Sequence, residues 1–168
     1  MLLKALKLIQ RLHIASPEAA GPQFGALPYT IRDGQLVVLL ITSRGRGKWI
    51  FPKGGLMEGM TPHESAAHEA WEEAGVTGEI DPTPIGSYFL PVTEERPRPI
   101  EVKMFPLLVT GQREDWQERG QRYRHWAVLA EARRLITHDG LADLAVALAQ
   151  RELGSGRSHP ANTITITQ

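Results

Sequence analysis

The unbroken apolar run Leu36-Val37-Val38-Leu39-Leu40-Ile41 limits the architecture more than any other stretch of this chain. A strand turns successive side chains to opposite faces, so six consecutive apolar residues need cover on both sides. A sheet layered between helices meets that need. Residues 24–31 read as the preceding strand, joined through an Asp33-Gly34 tight turn to a second strand over 35–42. Residues 49–51 resume a short extended piece, and 85–90, 100–110 and 126–129 read as further strands. A central helix begins at Thr61-Pro62-His63-Glu64, which combines a threonine cap, proline in the first turn and a capping-box glutamate. It runs to about Ala74, where Gly75 supplies a left-handed stop. Residues 130–135 and 141–152 are predicted helical. Without regular strand–helix alternation, these parts predict an α+β fold, an α/β/α sandwich with a mixed sheet between helices.

A length of 168 residues suits one domain with extensions. The expected division is an amphipathic helix and linker over 1–22, the domain over 23–153 and a tail over 154–168. Residues 1–13 carry Leu2, Leu3, Leu6, Leu8, Ile9 and Leu12, broken by Lys4 and Lys7. That run is too short to span a bilayer. It reads as a helix packed on its own domain or on a partner. The helix and the Thr/Ile alternation over 163–167 are candidate homodimer contacts. Lysine plus arginine equals aspartate plus glutamate at 19 each, so no global field favours nucleic acid or an anionic membrane. The absence of cysteine excludes disulfides, thiolate metal sites and cysteine nucleophiles. The expected location is cytoplasmic.

Glu69, Glu72 and Glu73 stand at i, i+3 and i+4 on the central helix and share one face. Ala67, Ala70, Trp71 and Ala74 would turn to the core. No lysine or arginine lies within residues 54–95 to relieve the three carboxylates. Hard cations take oxygen ligands, and Mg²⁺ uses one or two carboxylates with water and substrate phosphates. A solvated acidic face is the plain alternative. The glycine-rich loop Pro52–Gly59 and the cations Arg44, Arg46, Lys48 and Lys53 upstream converge on the same place and favour a metal–phosphate site. Arg96, Arg98 and Lys103 would extend the basic patch. Tyr88, Phe89, Trp116 and Trp126 are the aromatics within reach of a base, with core packing expected for Phe89 and Trp126. The histidines show no metal-ligand spacing.

Gly54, Glu69, Glu72, Glu73, Gly75 and Val76 fall in the register G-x5-E-x7-R-E-U-x-E-E-x-G-U, where U is apolar and Ala70 fills the first U. In that register the chain resembles the Nudix hydrolase family over about residues 24–148. Residues 48–55 (KWIFPKGG), with Asp115-Trp116 and Trp126, look similar to the branch that hydrolyses diphosphoinositol and dinucleoside polyphosphates. The resemblance implies Mg²⁺, with Mn²⁺ as a substitute, held by Glu69, Glu72, Glu73 and the Gly54 carbonyl. It also implies a phosphate-rich small-molecule substrate gripped by Arg44, Arg46, Lys48, Lys53 and Gly55. One carboxylate must accept a proton; Glu69 is the first candidate, and Glu94, Glu95 and Glu118 are rivals. Two positions depart from the register: Met60 stands for the first glutamate and His68 for the arginine. Histidine lacks the arginine's planar fork and permanent charge. A catalytically weak binding module of the same fold is therefore the competing expectation.

Overall fold

The computed structural model describes residues 21–154. The expected N-terminal helix and the Thr/Ile tail lie outside the described residues. The elements are β1 (Gln23–Arg32), β2 (Gln35–Thr42), β3 (Trp49–Ile50), β4 (Lys53–Gly54), α1 (Pro62–Ala74), β5 (Val76–Ile80), β6 (Gly86–Leu90), β7 (Ile100–Gln112), β8 (Arg124–Val128), α2 (Leu129–Leu135) and α3 (Asp139–Gly154). The strands form one mixed sheet of order β3-β2-β1-β7-β5, with β4 on β1, β6 on β7 and β8 on β2. Only the β1–β7 pairing is parallel.

The two-residue alternation of β2 works as its composition demands. Leu36, Val38 and Leu40 enter a core shared with α2 and α3, while Val37, Leu39 and Ile41 enter the core beneath α1. Helices cover both faces, as the run requires. Asp33 and Gly34 both have positive φ (50° and 75°), the geometry of a tight hairpin turn between right-twisted strands.

Beyond that turn the hairpin opens. β1 and β2 pair only from Arg32–Gln35 to Tyr29–Val38. Further on, β2 pairs with β3 through Ile41–Ile50 and Thr42–Trp49, and β1 pairs with β4 through Phe24–Gly54 and Gly25–Lys53. Residues 49–54 thus fill the fork between the two strands, and the Ala26 N–H donates to the Pro52 carbonyl at 3.0 Å. The fork fixes Lys53 and Gly54 against the sheet.

Several expectations need correction. Strands β4 and β5 escaped the sequence reading: β4 has two residues, and β5 is an edge strand whose Thr77, Gly78 and Glu79 face solvent and break the apolar signal. Trp71 is 37% exposed, and Ala66 replaces it on the buried face of α1. Phe89 is 57% exposed, because alternation along β6 turns Tyr88 inward and Phe89 outward. Leu129 opens α2 rather than closing a strand.

Candidate functional site

Helix α1 meets the sheet through Ala66, Ala70 and Ala74, all fully buried and spaced four apart. Small side chains at that contact let the helix axis come close, which carries Glu69 and Glu73 down to the fork. The helix entry is a complete capping box: the Glu64 N–H donates to Thr61 Oγ1 at 3.4 Å and the Thr61 N–H to Glu64 Oε2 at 2.7 Å. Its exit is tied more heavily. Gly75 has φ 68°, and a Cβ there would lie 2.8 Å from the Trp116 side chain. Trp116 Nε1 donates to the Glu73 carbonyl at 3.1 Å, and Arg124 Nη1 donates to the Ala74 carbonyl at 3.1 Å while its guanidinium lies 4.1 Å from the Trp116 ring centre. A cation at a helix C-terminus also opposes the negative end of the dipole.

Three carboxylates on one helix have three different surroundings. Glu73 is buried; its Oε2 accepts the Lys53 N–H at 3.0 Å and its Oε1 is paired with Arg122 Nη2. Glu72 is partly exposed, with His68 Nδ1 3.7 Å from its Oε1. Glu69 lies against Gly54 so closely that a Cβ on that glycine would fall 1.9 Å from Glu69 Oε1. Among the described residues Glu69 has no hydrogen-bond or ion-pair partner. Burial, then the charges of Glu73, Glu72 and Glu118, push its carboxyl up to about 7. Burial also raises Glu73, to about 6, against the opposing pull of Arg122 and the Lys53 N–H.

Among the described residues, no three His, Cys, Asp or Glu side chains are gathered closely enough to hold a metal ion. Arg122 supplies a physical reason. It is buried, with Nη2 on Glu73, Nε on Glu118 and Nη1 donating to the Thr42 carbonyl at 3.0 Å. Glu118 in turn sits 3.8 Å from Arg44 through its other oxygen. A divalent cation still fits the remaining chemistry. Glu69, beside the Gly54 cradle, is an unpaired oxygen donor and Glu72 a weakly paired one, and two carboxylates suffice for Mg²⁺ when water and phosphate complete the shell.

The basic residues do come together. A cleft of about 450 Å³ is lined by Arg44, Arg46, Lys48 and Lys53 from the fork side and by Arg96 from the β6–β7 loop. The loop carrying the first three is closed by the Ser43 N–H on the Lys48 carbonyl at 2.7 Å. Lys53 Nζ donates to Gln23 Oε1 at 3.1 Å, and burial lowers its pKa from the ordinary lysine value. Arg96 is braced by two hydrogen bonds to the Pro91 carbonyl. Tyr88, Trp49, Leu141 and His138 give the cleft an apolar flank. Gly55, Arg98 and Lys103 are exposed and lie outside this lining. Glu95 joins the lining; Glu94 does not. Trp126 is buried with its Nε1 on Gln112 Oε1 at 2.7 Å, and Trp116 serves the helix exit, so neither is placed in the cleft.

The two departures from the sequence register share a second hollow, of about 400 Å³, on the far side of α1. Met60 and His68 line it with Thr77, Gly78, Ile80 and Leu107. His68 Nδ1 is buried there without a hydrogen-bond partner.

Sequence reasoning missed Arg122. Its signal was faint: Arg122 and Arg124, two apart at the entry to β8, are both buried, as alternation along an extended segment allows.

Comparison with known proteins gives a consistent result. The NUDIX domain family matches residues 21–153. The Arabidopsis thaliana protein named Nudix hydrolase 12, mitochondrial, is 38% identical over 110 residues, covering 62% of this chain and 54% of the relative. Diphosphoinositol polyphosphate phosphohydrolase 3-alpha of Mus musculus is 30% identical over 122 residues, covering 71% of each. Among solved structures, that of Ap4A hydrolase from C. elegans superposes with a TM-score of 0.61 at 21% identity, covering 79% of this chain and 98% of that one. The chain thus spans about half the length of the first of these relatives. The mitochondrial name of that relative gives no support to a cytoplasmic location. Among the described residues no helix is long and apolar enough to cross a membrane.

Proposed function

The chain belongs to the Nudix family, and on that footing we propose that it hydrolyses phosphoanhydride bonds in a phosphate-rich small molecule with the help of Mg²⁺. One observation carries the reading: the partnerless Glu69 carboxylate at the Gly54 cradle borders a fork whose other side opens on a cleft lined by five cations. The open carboxylate suits a cation, and the cationic lining suits phosphate oxygens.

Glu69 and Glu72, with the Gly54 carbonyl, are the groups that would hold Mg²⁺. Glu73 can join them only at the expense of its contact with Arg122. When bound, the ion would neutralise developing charge and lower the pKa of the attacking water. Arg44, Arg46, Lys48 and Lys53 would bind the phosphates, with arginine adding bidentate geometry. Lys53, half-buried and anchored to Gln23, offers a fixed point charge, while the exposed Arg44 and Arg46 can follow the substrate. Glu69 is the proposed proton acceptor, with Glu118 the rival that lies nearest to it in the structure.

The substrate classes that suit the cleft are nucleoside diphosphate derivatives, dinucleoside polyphosphates and diphosphoinositol polyphosphates. The names of two relatives, a diphosphoinositol polyphosphate phosphohydrolase and an Ap4A hydrolase, favour the last two. The test is a panel of these compounds with Mg²⁺ and product identification, run on the unmodified protein and on Glu72→Gln. The variant should keep its fold and lose at least about tenfold in turnover, or about 1.4 kcal/mol of transition-state stabilisation. Undiminished turnover in Glu72→Gln rejects the assignment. A second reading, a weakly catalytic binding module, is favoured by Met60 and His68 at the two positions that depart from the register. Tight binding of a panel member without product would select it.

A further inference from the structure

Strand β5, Val76–Ile80, pairs with β7 on one side and ends the sheet. Among the described residues no strand pairs with its other side. An open edge presents a row of backbone donors and acceptors to any extended chain, and natural sheets cover or charge such edges. β5 carries one charged side chain, Glu79. Beside the edge lies the hollow of about 400 Å³ between α1 and the sheet. Met60, Ala67, Ile80 and Leu107 give it apolar lining, and Thr77 and Gly78 bring it to the strand. Met60 is 37% exposed there, apolar surface that a partner would remove from water. Edge and hollow together have the form that strand addition uses, main-chain pairing with pockets for alternate side chains.

One segment of this chain suits both features. Residues 163–167 read Thr-Ile-Thr-Ile-Thr, uncharged and of high strand propensity. As a strand they would set Ile164 and Ile166 on one face and the threonines on the other. Their five residues match the five of β5. The starting point is also close. The described residues end at Gly154, the last residue of α3. Arg151 Nη1, in the last turn of that helix, lies 3.0 Å from Oδ2 of Asp81, the residue that follows β5. Residues 155–162 reach up to about 26 Å at roughly 3.3 Å per residue, against about 10 Å between packed layers. A chain leaving α3 beside Asp81 meets the Ile80 end of β5 first, and so runs antiparallel to it.

We infer that residues 163–167 add to the outer edge of β5 in their own chain as an antiparallel strand, with Ile164 and Ile166 seated in the hollow beside Met60 and Ala67. The added strand covers an open edge and an apolar hollow at once. It uses none of the groups assigned to metal or phosphate, so it stands apart from the hydrolytic reading.

The chain has no cysteine, so Thr165→Cys in the 168-residue protein gives a single attachment point for a nitroxide. The label would sit on the threonine face, away from the hollow. In nuclear magnetic resonance spectra it should broaden the amide signals of Val76–Ile80 and Met60 and spare those of β8. Mixing spin-labelled chain with separately isotope-labelled chain should give no broadening. A second readout needs no label: the outward amides of β5 should exchange with solvent at least about tenfold more slowly in the unmodified protein than in the Ile164→Asp, Ile166→Asp double variant. Unbroadened β5 signals, broadening centred on β8, broadening that arises only in the mixed sample and so marks a second copy, or equal exchange in the two proteins would each overturn the inference. If the double variant fails to fold, the spin label decides alone.

Discussion

The two faces of the sheet are built on different scales. Beneath α1 the helix contributes only Ala66, Ala70 and Ala74, whereas the opposite core interlocks Leu141, Leu144 and Leu148 of α3 with Phe51, Tyr88, Val102 and Met104. Large side chains bury more apolar surface, at roughly 25 cal/mol per Å². Small ones permit close approach. The face with α2 and α3 thus supplies stability, and the face with α1 supplies placement: the alanine seam brings Glu69 against Gly54 and Glu73 against the Lys53 N–H.

That contrast can be broken at several points. Leu148→Ala, in the large-residue core, should destabilise the protein by about 2–5 kcal/mol in a denaturant melt while leaving turnover per folded molecule unchanged. Ala70→Leu should cost about 1–3 kcal/mol through overpacking. Unlike the first change, it should also depress turnover, because α1 must lift from the sheet; equal turnover would show that placement does not depend on the seam. Gly54→Ala should reduce turnover at least about tenfold, or about 1.4 kcal/mol, with little change in melting temperature, since the new methyl displaces only the tip of Glu69.

A smaller, graded effect is expected from pH. A carboxyl whose folded pKa lies above its unfolded value binds protons more tightly when folded. Its contribution therefore favours the folded state at low pH and is lost as pH rises from the unfolded value toward the folded one. With Glu69 raised to about 7 and Glu73 to about 6, the metal-free protein should lose melting temperature over that rise, and Mg²⁺ should restore it on the alkaline side. A flat profile would contradict the crowding of the carboxylates. Least of all, Phe89→Ser on the outer side of β6 should change stability by less than about 0.5 kcal/mol in the same melt.

The same contrast explains what could be read in advance. Leu36 to Ile41 announced the central strand and its double cover because the signal is local, a property of adjacent residues. The cap at Thr61 and the stop at Gly75 were equally local, and both stand. The acidic face of α1 and the basic loop before it were legible for the same reason, and the cleft gathers Arg44, Arg46, Lys48 and Lys53. What stayed hidden depends on distant partners. Trp71 looked like core, but the buried stripe runs through Ala66, Ala70 and Ala74, and helical phase leaves the ring off it. The absence of cations over 54–95 suggested carboxylates relieved only by metal, yet the relief for Glu73 comes from Arg122, 49 residues away. Neither adjacency nor helical spacing could disclose that pairing.

One feature of the topology bears on how such a site comes into being. β1 and β7 run side by side in parallel, Gln23 facing Val102 and Tyr29 facing Leu108, so the sheet closes a loop of some eighty residues. Closing so long a loop carries an entropic cost before any contact rewards it, and parallel pairings of this kind form slowly. During synthesis the acidic helix leaves the ribosome well before Arg122 does. For that interval Glu73 is without the guanidinium that meets it in the folded protein, and assembly of the site waits on the last third of the polypeptide.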